Sequence, residues 1–146
     1  MKRSIAIFIL LLTGVVAACA QQGESIAESH IRANVPDEKD FGQFLKRDLE
    51  KYFKESRHQT VAVDYELLRN EPTQSGVAYP KFYAWVTVRD GAKVLDQGAV
   101  RVAAVEKKSF DITHFVSEAE IKRSPDALNQ IFPLTVADKI RERVLK

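Results

Sequence analysis

The chain has 146 residues, a single cysteine, and 22 Lys and Arg against 20 Asp and Glu. One cysteine excludes an internal disulfide, and so even a charge balance excludes the concentrated basic surplus on which nucleic-acid binding depends. The small excess of positive charge belongs to Lys2 and Arg3; without them the two signs stand at 20 each.

Lys2 and Arg3 are followed by an apolar run from Ile5 to Leu12, the basic and hydrophobic regions of an export signal. Extended to Ala18, the stretch still falls short of the roughly 20 apolar residues that span a bilayer, and no stop-transfer pattern follows. It ends in Val16-Ala17-Ala18-Cys19, which resembles the lipobox of bacterial lipoprotein precursors: an aliphatic residue, two small residues, then cysteine. The resemblance implies that residues 1–18 are a lipoprotein signal peptide, that Cys19 carries diacylglycerol, and that its freed amino group is acylated, typically with palmitate. Several acyl chains together anchor a protein stably where one does not. Ala20 stands where the enterobacterial inner-membrane retention signal places Asp, so the implied location is the outer membrane, facing the periplasm.

Residues 19–34 are polar and read as a lipidated tether, with a short helix or an edge strand around Ile26 to Ile31 as its structured options. Residues 35–146 read as one domain, held by its core alone. Pro36 and Asp37 open an amphipathic helix of about five turns, because Phe41, Phe44, Leu45, Leu49, Tyr52 and Phe53 recur at spacings of three and four. Four aromatics on that stripe call for a wide, flat partner such as a sheet.

Val61, Val63, Tyr65 and Leu67 alternate with polar or small residues, the period of a half-buried strand. Asn70 to Gly76 is turn-rich. A second strand is predicted from about Lys81 to Arg89 and a third from Ala92 to Val105, joined at Asp90-Gly91 by a tight hairpin. Gly98 inside the third strand marks a bulge or a close backbone approach. After a turn at Glu106-Lys107-Lys108, a fourth strand is predicted to place Phe110, Ile112, His114 and Val116 on one face. Ser117-x-x-Glu120 is a capping box, Ser124-Pro125 restarts the helix, and Thr135 to Leu145 forms a terminal helix burying Val136, Ile140 and Val144.

The predicted fold class is therefore α+β: a long N-terminal helix packed on a four-stranded antiparallel meander, followed by short C-terminal helices. A long helix followed by a meander is similar in order to cystatin-like folds, in which the sheet curls around the helix.

Chemistry is sparse. His30, His58 and His114 are scattered, none at metal-ligand spacing, and no cofactor or metal is expected. His114 is expected at the core edge with one hydrogen-bond partner. No nucleophile elbow or phosphate-cradling loop is present, and Asp64 and Glu66 read as the solvated side of a strand, so no catalytic residue is assigned and the chain is not read as an enzyme. Ser75-Gly76-Val77-Ala78-Tyr79 resembles the Ser-Gly-x-x-Tyr loop of bacterial lysozyme inhibitors.

The second strand puts Phe82, Ala84, Val86 and Val88 on one face, and Tyr83 and Trp85 on the other. With the long helix on the first set, Tyr83 and Trp85 need a second cover, either the C-terminal helices or a partner outside the chain. Tyr83, Trp85, Ser75, Gly76 and Tyr79 are accordingly the candidate binding surface. The expected function is a lipid-anchored, non-enzymatic binding or assembly module of the cell envelope, its partner an envelope protein. The alternatives are a small-ligand pocket between helix and sheet, and a lysozyme inhibitor or envelope hydrolase.

Overall fold

A computed structural model describes residues 24–146. The expected signal segment, Cys19 and the first residues of the expected tether lie outside the described residues.

The remainder of the tether is helical. Helix α1 spans Ile26–Asn34 and starts at a reciprocal capping box, in which the Ser25 hydroxyl accepts from the Glu28 N–H and the Glu28 carboxylate accepts from the Ser25 N–H. Its last residue, Asn34, is the one buried polar side chain among the described residues. The Asn34 side-chain oxygen accepts from the Glu106 N–H at 3.1 Å and its main-chain oxygen from the Lys107 N–H at 2.8 Å. Glu106 and Lys107 are both left-handed, with φ of 50° and 61°, a conformation costing about 1 kcal/mol for each non-glycine residue. Asn34 therefore fastens the end of α1 to a turn whose amides need outside acceptors.

Helix α2 spans Glu38–Arg57 and ends at His58, left-handed at φ 54°. Its apolar stripe buries Leu45, Leu49 and Phe53 against the sheet, with Phe41, Phe44 and Tyr52 at the margins. Each fully buried side chain of this kind contributes about 1.5–3 kcal/mol.

The sheet is an antiparallel meander in the order β1-β2-β3-β4, with β1 at Ala62–Leu67, β2 at Lys81–Asp90, β3 at Lys93–Val105 and β4 at Ser109–Ser117. Gly91, at φ 56°, turns the β2–β3 hairpin. One face, formed by Val63, Phe82, Ala84, Val86, Val88, Val100, Val102 and Phe110, packs under α2. The C-terminal segments cover the other: α3 (Glu118–Arg123), a 3-10 turn (Pro125–Ala127), α4 (Leu128–Ile131) and α5 (Leu134–Leu145). The Ser117–Glu120 capping box starts α3, and Val136 and Ile140 are buried from α5, with Val144 partly so. The protein is thus a mixed helix and sheet fold with short C-terminal helices.

One expectation is narrowed and one needs correction. Of the two alternatives at Gly98 the structure shows the close approach: a Cβ there would lie 2.8 Å from both the Phe115 ring and the Ser117 Cα, and closer still to the Val116 carbonyl oxygen. The register shifts fall elsewhere, between Val88 and Arg89 and between Arg101 and Val102. The second shift also regroups β4. Arg101 pairs with His114 but Val102 with Ile112, so Thr113 is an extra residue. It turns His114 and Val116 away from the face that holds Phe110 and Ile112 and brings Phe115 onto that face.

Candidate functional site

The structure separates the five residues of the predicted surface. Tyr83 and Trp85 are 4% and 7% exposed, beneath Phe132, Val136, Ala137 and Ile140 of the C-terminal helices. The Tyr83 hydroxyl lies 2.6 Å from Thr73 Oγ1, and its ring meets Phe132 edge-on with 6.0 Å between centroids. These two aromatics are core, because the helical segments that follow β4 fold back over them. Ser75, Gly76 and Tyr79 stand apart on the exposed loop between β1 and β2.

That loop is braced. Thr73 and Lys81 exchange two backbone hydrogen bonds of 2.9 Å at its base. Gly76, at φ 55°, lies in a turn in which the Ala78 N–H donates to the Ser75 carbonyl. The Gln74 side-chain amide donates to the carbonyl oxygens of Gly76 and Ala78.

What remains accessible of the second face is a groove along β1. Its upper part, about 180 Å³, is lined by Asp64, Glu66, Trp85 and Thr87. Beside it, and sharing Glu66, lies a wider hollow of about 430 Å³ formed with Leu68, Lys139, Glu142, Arg143 and Lys146. The alternation that buries Val63 turns Asp64 and Glu66 outward, and one face of α5 supplies the bases opposite. The Arg143 guanidinium lies 5.3 Å from the centre of the Trp85 ring and is paired with Glu66 at 2.5 Å, while Arg89 pairs with Asp64 at 3.0 Å. Lys139 donates to the Leu68 carbonyl at 2.9 Å. Acids line the strand side, and the helix side carries Lys139, Arg143 and Lys146 with Glu142 among them, beside the Trp85 ring. β1 is the edge strand on this side of the sheet.

Such an arrangement can hold an extended segment carrying both signs of charge. Each of the two carboxylates is paired with an arginine.

On the opposite margin of the same face, Arg101 donates to Thr113 Oγ1 at 3.0 Å and to the Ile131 carbonyl at 3.1 Å, and lies 2.7 Å from His114 Nδ1. His114 is exposed; desolvation and then the Arg101 charge hold its pKa below the ordinary 6.5. His30 lies in α1, and His58 closes α2. Among the described residues no three His, Cys, Asp or Glu gather as a metal site, and no helix is long and apolar enough to cross a membrane.

Between α2 and the sheet, where a ligand pocket is one expectation, aromatic rings occupy the interface. Phe41 meets Phe82 and Phe110 with centroids 4.9 and 5.0 Å apart, and Phe53 meets Phe115 at 4.9 Å. At the rim an apolar groove of about 440 Å³ opens beside Val35, Pro36, Phe41, Leu67, Pro72 and Phe82.

Sequence reasoning missed Asn34, Arg101 and Arg143. The capping pattern Ser25-x-x-Glu28 is a readable sign of α1 and hence of Asn34 at its end, whereas nothing local marks the two arginines. Compared with protein-family models, curated proteins and solved structures, the chain matches none.

Proposed function

We propose that the chain is a lipid-anchored protein of the bacterial envelope, held on the outer membrane facing the periplasm, where its α+β domain is a non-enzymatic binding or assembly module. The observation that carries this reading is the order of Lys2-Arg3, the apolar run and Val16-Ala17-Ala18-Cys19, with Cys19 the chain's sole cysteine. The groove between β1 and α5 supports the second half: it offers Glu66, Arg143, Lys139 and the edge of Trp85 to a segment of an envelope protein. The helix-then-meander order, similar to cystatin-like folds, agrees with a small domain used for binding.

Two measurements test the two halves. Mass spectrometry of the mature protein is expected to find acyl mass on Cys19 and none in Cys19→Ser; a mature terminus without acyl mass refutes the anchor. For the groove, a photo-crosslinking residue replacing Lys146 is expected to capture an envelope protein, and one replacing Lys93, on the β2–β3 hairpin, is not. Arg143→Glu should abolish the Lys146 adduct, and adducts indifferent to that change would remove the groove from the reading.

A second reading, a small apolar or amphipathic ligand, is favoured by the rim groove beside Phe41 and Phe82. Saturable binding of a fluorescent fatty acid, weakened by Leu67→Glu, is its expected signature.

A further inference from the structure

The anchor reading acquires a geometric consequence once α1 is in place. Only six peptide steps separate Cys19 from the capping residue Ser25, a stretch that reaches at most about 20 Å fully extended. Helix α1, nine residues long, adds about 13 Å. At its far end Asn34 is hydrogen-bonded to the β3–β4 turn. One end of the sheet, not merely the domain as a whole, is therefore leashed to the position of Cys19.

The same end carries the β1–β2 loop, because β1 finishes and β2 begins there and the Ala104 N–H donates to the Pro80 carbonyl. The loop tip exposes Val77 by 79% and Tyr79 by 44%, and Ile26 at the start of α1 is 68% exposed. A valine and a tyrosine on a loop braced by Gln74 and the Thr73–Lys81 bridge lose little freedom on insertion. Tyrosine in particular suits the headgroup layer, with an apolar ring and a polar tip.

Resting on the anchor reading, we propose that the domain stands end-on, its β1–β2 loop against the bilayer with Val77 and Tyr79 in the headgroup layer, and the β2–β3 hairpin directed away. Two side chains alone would bind lipid weakly. A leash this short keeps the loop at high effective concentration near the surface, so a weak contact is populated. The occupant of this apolar tip is lipid, and the groove between β1 and α5 stays accessible from the periplasm.

The test uses the acylated protein in vesicles of phosphatidylethanolamine and phosphatidylglycerol. Val77→Cys and Ala92→Cys, the latter on the β2–β3 hairpin, each offer one thiol to an environment-sensitive dye, because the Cys19 thiol is blocked by its thioether. Lipid-borne nitroxides are expected to quench the dye at 77 at least threefold more than at 92. Inserting twelve Gly and Ser residues before Glu24 should reduce that ratio. Equal quenching at the two positions on protein whose acyl mass is confirmed overturns the orientation and leaves the anchor standing; absent acyl mass overturns both. Quenching at 77 that is lost when lysozyme is added would assign the loop to a protein and also overturn the proposal.

Discussion

The sheet face under α2 and the face under the C-terminal helices are covered in different ways. A single 20-residue helix, about 30 Å long, runs the length of the first face, and its phenylalanines meet those of the sheet edge-to-face from Phe41 to Phe115. Several short pieces cover only the middle of the second face. They bury Tyr83, Trp85 and Ala99, and leave charged margins: Arg101 with His114 on one side, Asp64 and Glu66 on the other. Continuous cover makes a scaffold, and interrupted cover leaves grooves. The binding surface is therefore to be sought on the second face.

The comparison breaks most readily at Phe53. Phe53→Ala is expected to cost about 3–5 kcal/mol in denaturant unfolding, without moving the emission of Trp85, the chain's one tryptophan, in the folded state. Ile140→Ala, on the second face, is expected to cost about 2–5 kcal/mol and to shift that emission to the red. Equal shifts in both variants would mean that the faces do not respond separately. Gly98→Ala sharpens the first face: its methyl would push β4 and the Phe115 ring off β3, at about 1–3 kcal/mol, with faster amide exchange at β4. At the sheet's end, Asn34→Ala leaves the Glu106 N–H without its acceptor, a loss of about 1–2 kcal/mol read by exchange at the β3–β4 turn.

The smallest expected effect is a pH dependence where the sheet passes into α3. The Ser117 backbone N–H, then its hydroxyl, hold the Glu120 carboxyl below its ordinary value of 4.5. A depressed carboxylate contributes stability above its unfolded pKa and loses it as pH falls through the folded one. Glu120→Gln should thus slightly flatten the acid limb below pH 4.5, and an unchanged limb would show the cap to be too solvent-screened to matter.

The strongly periodic elements were legible in the residues. The stripe from Phe41 to Phe53 and the alternation in β1 each follow from one surface facing one core, and Gly91 and the Ser117–Glu120 pair act through local backbone geometry. His114 was misplaced because a period-two reading assumes an uninterrupted strand, and the extra residue at Thr113 has no local signature. Tyr83 and Trp85 were recognised as facing away from α2. The C-terminal helices were named as one cover for them; whether those helices or an outside partner did so depended on how α3 to α5 fold back, a tertiary matter to which spacing is blind. Helix α1 was weakly marked because so little of its surface is apolar, and its end is secured by an amide 72 residues from its partner.

The kink at Thr113 has a further consequence for behaviour in a crowd. Copies of a protein confined to one leaflet, as proposed here, collide far more often than copies in solution, and a straight, bare strand margin would invite them to zip together. On β4 the added residue bends that margin, and its Phe110 amide is occupied by Asp48 at 2.7 Å. A neighbouring copy finds no regular ladder along β4 to extend, so strand-to-strand pairing of crowded copies is disfavoured at that margin.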